Sequence, residues 1–275
     1  MSSSSTPYQA PGLDSGIKTA ENLAGNGTSE EAYIIVDTVT GISSLVDTLS
    51  GLPSTPPSIY IDIEGPNLSR HGSISIIQIH IPTTGQNYLV DVTTLKEAAF
   101  STPGTQTPST LKGVLESPSI PKVFFDVRMD SDALYSHYGI KLQGIQDLQL
   151  MELATRPGNK RFIIGLKRCI DKDMDMTTAE KEKWSTAKDE GRKLFAPEKG
   201  GSYEVFNQRP LSEKIALYCV QDVQYLPRLW GLYNRKLSAK WTVKVQDETA
   251  KRVTKSQAPD FNGDGPHMRL GPERW

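Results

Sequence analysis

Two carboxylates, Asp62 and Glu64, stand two residues apart in the otherwise apolar segment IYIDIE. A β-strand repeats every two residues, so we expect both side chains to leave the same face of a sheet. Two like charges at this distance raise each other's pKa unless a cation lies between them. Such a pair is also common by chance at a solvent-exposed strand end, so its chemistry depends on further acidic residues.

Further acidic residues occur later in the chain, beside predicted elements. Asp130 opens a helical segment after the apolar run KVFFDV, and α/β folds place ligands at the carboxyl ends of such strands. Tyr218 and Asp222 are four residues apart and therefore share one face of a predicted helix. Taken singly, each has a simpler explanation, such as an acid capping a helix or a half-buried tyrosine. Together, the carboxylates offer the oxygen ligands that Mg²⁺ and Mn²⁺ prefer.

The elements that must position these side chains are predicted from hydrophobic periodicity and from turn residues. A helix should begin after Thr177, which forms a capping box with Glu180. Strands followed by a strand–helix alternation and then by helices indicate one α/β domain with a mixed sheet. The predicted strands are 33–36, 58–64, 74–81, 87–92 and 122–127, and further helices are predicted at 40–52, 129–138, 166–169 and after Ser212.

Composition divides the chain into three parts. Residues 1–32 are rich in Ser, Gly, Pro and Thr and predict a disordered leader. Residues 33–240 hold the domain. Periodicity fades over residues 241–275, which predict a basic, weakly structured tail. This tail would be suited to tracking a phosphate backbone, or would simply be a solvated terminus.

Charge and cysteine content exclude several classes of protein. With 31 Lys and Arg against 32 Asp and Glu, the net charge of −1 argues against a surface built throughout to bind nucleic acid, so any such role needs a local site. Cys169 and Cys219 are isolated, which excludes a disulfide scaffold. We find no run of about 18 apolar residues and no secretory signal pattern. We therefore expect an intracellular protein, in cytoplasm or nucleus, that does not bind membranes.

The order of the acidic groups resembles the DEDDy branch of the DnaQ-like 3′–5′ exonucleases, the superfamily that includes RNase D and the exonuclease domain of the Werner helicase. The resemblance runs from about residue 33 to residue 237. It is nearest a eukaryotic sub-branch with an arginine two residues before the second-motif Asp, which includes Egalitarian-type RNA adaptor proteins. The three motifs are IDIEGPNLSRHGSISIIQI, KVFFDVRMDSDALYSHYGIKL and RPLSEKIALYCVQDVQYLPRLW.

This resemblance implies an RNase H-like mixed β-sheet flanked by helices, in a single domain. It implies that Asp62, Glu64, Asp130 and Asp222 bind two ions, Mg²⁺ or Mn²⁺, and that Tyr218 positions the attacking water. The implied function is a metal-dependent 3′–5′ exonuclease that releases nucleoside 5′-monophosphates from the 3′ end of single-stranded nucleic acid. RNA is favoured over DNA only because the nearest sub-branch acts on RNA.

The alternative is a catalytically silent RNA-binding or adaptor protein on the same fold. Silent relatives are expected to lose ligands, and all five positions are filled here. Outside these positions, Asp147 is expected to cap a helix and Asp132 to be a helix-N-terminal acid without chemistry. Arg70 and Arg128 would either bind substrate phosphates or, as the simpler alternative, be solvated at the surface. The oligomeric state stays open.

Overall fold

The computed structural model describes residues 33–275, and the predicted leader lies outside the described residues. No helix of this part combines the length and the hydropathy of a membrane span. The strands are β1 (Tyr33–Val36), β2 (Ile59–Glu64), β3 (Ile76–Ile81), β4 (Gln86–Asp91), β5 (Lys122–Phe124) and β6 (Ile145–Asp147). The helices are α1 (Val39–Ser50), α2 (Val92–Leu95), α3 (Ala98–Ser101), α4 (Leu111–Glu116), α5 (Arg128–Tyr138), α6 (Leu148–Thr155), α7 (Leu166–Asp173), α8 (Thr178–Phe195), α9 (Glu213–Val223), α10 (Leu226–Lys236) and α11 (Ala239–Ser256).

The strands of residues 33–275 form one mixed sheet in the order β1-β4-β3-β2-β5-β6. β2, β3 and β4 correspond to three of the predicted strands and form an antiparallel meander. β5 and β6 continue the sheet in parallel on the other side of β2, and β1 pairs in parallel with β4. The predicted mixed α/β sheet is confirmed, and β2 lies inside it, between β3 and β5.

The strand β2 separates apolar from acidic side chains by its period of two. Ile59, Ile61 and Ile63 join one hydrophobic cluster with α1, α4 and α5. Asp62 and Glu64 alternate with them and therefore lie on the opposite face. On that face α9 packs against β2, β3 and β4. The alternation of β2 thus directs both carboxylates toward the helix that carries the third motif.

The turn between β5 and α5 differs from the prediction. The strand was expected to reach Val127 but ends at Phe124, because Asp126 takes a left-handed backbone conformation with φ of 64°. The amides of Asp126 and Val127 donate to the carboxylate of Asp147 at 3.2 and 3.3 Å, which holds the turn. The turn starts α5 at Arg128 and places Asp130 in its first turn.

The expectation of a weakly structured tail from residue 241 onward is wrong as far as residue 256, because residues 239–256 are helical. They form α11, an 18-residue helix that packs against α5 and α6. Its buried positions are Val245, Thr249, Arg252 and Ser256, at helical spacing. Three of these four are polar, so the hydrophobic period that reveals an amphipathic helix is weak here although the face is buried.

Arg70 and Arg128 make internal contacts rather than facing solvent. The Arg70 guanidinium donates to Asp132 at 2.7 Å and to the carbonyls of Ser256 and Ala258. Arg128 pairs with Asp126 at 2.6 Å and donates to the carbonyl of Met268 at 2.9 Å. Both arginines therefore tie the segment after α11 to the first two motifs, and Asp132 has a structural partner that the sequence did not reveal.

The burial of Lys122 should make the stability of the fold depend on pH, separately from any effect of Asp62 and Glu64. Its side chain is fully buried, its Nζ donates to the carbonyls of Val114 and Ser117, and burial lowers its pKa to about 7. Between about pH 7 and the unfolded value of about 10.4, the unfolded chain binds a proton that the folded chain does not. Lys122 therefore contributes a rise of the free energy of unfolding with pH across this window. Asp62 and Glu64, whose pKa values are raised, contribute in the opposite direction.

Lys122→Met should remove that rise, as measured by urea unfolding at about pH 7 and about pH 9.5. Lys141→Met, at an exposed lysine, is the matched control and should keep the rise. Parallel pH dependences of the wild type and Lys122→Met would contradict the prediction.

Candidate active site

Three carboxylates from two distant motifs meet between β2 and α9. Asp62 and Glu64 approach from the sheet and Asp222 from the helix, and one oxygen of each lies within 4.8 Å of the others. Asp222 shares its helix face with Tyr218, one turn earlier. The structure therefore brings together acidic residues of the first and third motifs.

Asp130 lies outside this group of three, in the first turn of α5, and is 5% exposed. It is still close enough for its charge to interact with the group. Its own pKa is raised well above the usual value, first by burial and then by the charge of Asp62. In turn, Asp130 contributes to the raised pKa of Glu64. All four acids thus belong to one electrostatic site, although only three are in mutual ligand range.

The acids oppose one another's ionisation. Burial, and then the charge of Asp222, raises the pKa of Asp62 to about 8. Burial and Asp62 raise the pKa of Glu64, and burial raises that of Asp222. Carboxylates arranged in this way are stabilised in their charged form by a cation placed among them.

The donor set fits a divalent ion. Oδ2 of Asp222 is buried and has no hydrogen-bond partner within the described residues, whereas Oδ1 accepts from Lys188 at 2.5 Å. A free carboxylate oxygen beside Asp62 and Glu64 is the oxygen-only environment that Mg²⁺ and Mn²⁺ select. These three residues, with Asp130, could hold such ions.

Tyr218 is held by side chains of α8. The Nζ of Lys188 lies 3.5 Å from the centre of its ring, and the ring of Phe195 packs against it edge-on with centroids 4.9 Å apart. A Cβ at Gly191 would lie 2.5 Å from Cβ of Tyr218, so this close approach of helix and tyrosine requires glycine. Burial and the neighbouring carboxylates raise the pKa of Tyr218 far above its usual value, which keeps the hydroxyl protonated.

Two contacts at or near the site were not predicted from the sequence. Lys188 donates to Asp222, and Arg252 donates to residues at the start of α6. The capping box of Thr177 predicts α8 correctly, but nothing in the local sequence distinguishes Lys188 from the other lysines of that helix. Arg252, in α11, donates to Asp147 at 2.7 Å and to Gln149 at 3.0 Å. Asp147 also accepts from the amides of the first turn of α6, as predicted for a cap.

Solved structures with the same fold include Trypanosoma brucei RNase D in complex with RNA U12, with a TM-score of 0.66, 22% identity, and coverage of 88% of this chain and 76% of that one. The RNase D:GMP complex of the same organism has a TM-score of 0.65 and 23% identity, with coverage of 85% of this chain and 68% of that one. Escherichia coli RNase D, an exoribonuclease involved in structured RNA processing, has a TM-score of 0.52 and 18% identity, with coverage of 82% of this chain and 51% of that one. At these identities the likeness concerns the fold, and it confirms the expected RNase H-like sheet.

A curated relative is the piRNA biogenesis protein EXD1 of Mus musculus, which is 34% identical over 95 residues. The match covers 34% of this chain and 15% of that protein. The human EXD1 matches over the same length at the same identity, with 17% of its length covered. This chain therefore spans a small part of the length of the curated relatives it matches.

A family model described as 3′–5′ exonuclease matches residues 33–238, from β1 to the residues just after α10. The match includes Asp62, Glu64, Asp130, Tyr218 and Asp222, in the order that the DEDDy pattern requires. It ends just before α11 begins. The chain therefore belongs to the 3′–5′ exonuclease family, within the DnaQ-like DEDDy group.

Proposed function

We propose that this chain is a metal-dependent exonuclease that shortens single-stranded RNA from its 3′ end and releases nucleoside 5′-monophosphates by a two-metal mechanism. One observation carries the proposal: Asp62, Glu64 and Asp222 converge to within 4.8 Å on the face where Tyr218 is fixed. Packing alone would favour apolar residues there, because burying unpaired charge is unfavourable by several kcal/mol.

The residues divide the work between binding and orientation. Asp62, Glu64, Asp130 and Asp222 would hold the ions and so place the scissile phosphate beside them. Bound Mg²⁺ or Mn²⁺ supplies activation of water and stabilisation of charge on the leaving oxygen. Tyr218 is a poor base because its raised pKa keeps its proton on, so it orients the attacking water as a hydrogen-bond partner.

The reaction is a hydrolysis in which no electrons are exchanged. A bond forms between the water oxygen and phosphorus as the bond from phosphorus to the 3′-oxygen breaks. The shortened strand keeps the 3′-hydroxyl, and the terminal nucleoside leaves with the phosphate on its 5′-oxygen. The proton lost by the water is balanced by the proton gained by the leaving oxygen.

RNA is the favoured substrate on the strength of relatives. Solved RNase D structures of the same fold contain RNA U12 and GMP, and EXD1 is named for piRNA biogenesis. GMP is a nucleoside monophosphate, the class of product that this reaction would release. The local acidic site, loaded with dications, would attract phosphates even though the chain's net charge is −1.

The test compares RNA and DNA oligonucleotides of the same sequence, labelled at the 5′ end, with Mg²⁺, with Mn²⁺ and with a chelator. We expect stepwise shortening of RNA with either metal, slower shortening of DNA, and no reaction with the chelator. A 3′-terminal label should be released at the first step, which fixes the direction of attack.

If both oligonucleotides stayed intact with both metals, the proposed activity would be wrong. Retained binding of RNA in that case would identify the silent adaptor protein instead. Equal rates on RNA and DNA would contradict only the preference for RNA.

A further inference from the structure

We propose that Lys188 is a positioning residue of the active site, which holds Asp222 so that its free oxygen faces the other carboxylates. This inference rests on the proposed metal-dependent function. It adds to that function a lysine from α8, outside all three motifs of the family pattern.

The contacts of Lys188 are specific. Its Nζ lies 2.5 Å from Oδ1 of Asp222 and 3.5 Å from the ring centre of Tyr218. Its side chain is 17% exposed and that of Asp222 is 11% exposed, so the pair is largely shielded from solvent. The ammonium is thus fixed by a charged hydrogen bond and a cation–π contact at once.

The pairing divides the two oxygens of Asp222 between two tasks. Oδ1 is taken by Lys188, whereas the buried Oδ2 has no hydrogen-bond partner within the described residues. A carboxylate that ligates a metal is commonly held through a hydrogen bond from outside the ligand set, which fixes its orientation. Lys188 has this relation to Asp222.

The charge of Lys188 does not close the site to cations. The charge of this one ammonium acts on Asp62, Glu64 and Asp222. With Asp130 included, three negative charges remain when all four acids are ionised. We therefore expect the loss of orientation to outweigh the loss of one repulsive charge when Lys188 is replaced.

The packing of α8 against Tyr218 supports a specific position for Lys188. Gly191, one turn after Lys188, lies against Tyr218, and Phe195 packs edge-on against the same ring another turn later. Lys188, Gly191 and Phe195 thus form one stripe of the helix, directed at the tyrosine that shares a face with Asp222. A lysine that only faced solvent would not require this close packing between its helix and Tyr218.

The experiment measures Mn²⁺ binding by calorimetry on the whole chain. Lys188→Met should weaken Mn²⁺ binding by about ten- to a hundredfold, and Lys188→Arg should restore most of it because it keeps the charged donor. Lys193→Met, at an exposed lysine of the same helix, is the matched control and should bind as the wild type does. Circular dichroism should show that each variant keeps the helical fold.

A double-mutant cycle separates positioning from a general structural effect. In the Asp222→Asn background, Lys188→Met should change the Mn²⁺ affinity by less than about twofold, because its partner is already altered. Equal effects in both backgrounds would overturn the inference, as would unchanged or tighter Mn²⁺ binding by Lys188→Met. Either of these results, with a wild type that binds Mn²⁺ and degrades RNA, leaves the proposed function standing. A wild type that does neither overturns both.

Discussion

Asp62→Asn is expected to lower the rate of RNA shortening by about a thousandfold or more, which corresponds to at least ~4 kcal/mol of lost transition-state stabilisation. The amide keeps the shape of the side chain but removes the charge that would hold an ion between β2 and α9. The measurement is the rate of stepwise shortening of a 5′-labelled RNA at saturating metal.

The same variant should keep its fold. Asp62 is buried beside other acids and its pKa is raised to about 8, so its charge opposes folding at higher pH unless a cation is present. Thermal unfolding in a chelator at about pH 9 should therefore occur at the same or a higher temperature than in the wild type. Asp37→Asn, at an exposed aspartate, serves as the charge-matched control and should keep full activity. Normal activity of Asp62→Asn would exclude Asp62 from the metal site.

Arg252→Met is expected to lower the free energy of unfolding by about 3–5 kcal/mol, because it leaves the buried carboxylate of Asp147 without its cation. Arg252 is 6% exposed and also lies 3.3 Å from Asp126, whose left-handed conformation forms the turn before Asp130. Urea unfolding followed by circular dichroism measures the change.

Lys255→Met, on the exposed side of α11, should alter the free energy of unfolding by no more than about 0.5 kcal/mol. Arg252→Lys should lie between the two, since lysine keeps the charge but lacks the planar fork that reaches several acceptors. A loss below about 1 kcal/mol in Arg252→Met would mean that Asp147 is satisfied by its amide donors alone.

Local sequence patterns were sufficient to predict features that depend on the regular periodicity of a strand or a helix. The period of two in β2 predicts that Asp62 and Glu64 share a face, and the capping box at Thr177 predicts the start of α8. The four-residue spacing of Tyr218 and Asp222 places them on one side of α9. These features depend on backbone geometry, which neighbouring residues determine.

Side-chain contacts between distant segments could not be predicted from local sequence patterns. Lys188 meets Asp222 across 34 positions of sequence, and Arg252 meets Asp147 across 105. A lysine or an arginine in a helix is ordinarily solvated, so its type alone gives no sign of a buried partner. The same limit applies to α11, whose buried face contains Thr249 and Arg252 in place of apolar residues.

The position of Arg252 has a consequence for the cooperativity of the chain. The family match ends at residue 238, yet the arginine that supports the turn before Asp130 comes from α11. A fragment trimmed to the matched residues would lose that support and expose the α11-facing sides of α5 and α6. By linkage, Mn²⁺ bound at Asp130 should slow amide hydrogen exchange in α11, so the terminal helix would report on metal loading at a distance.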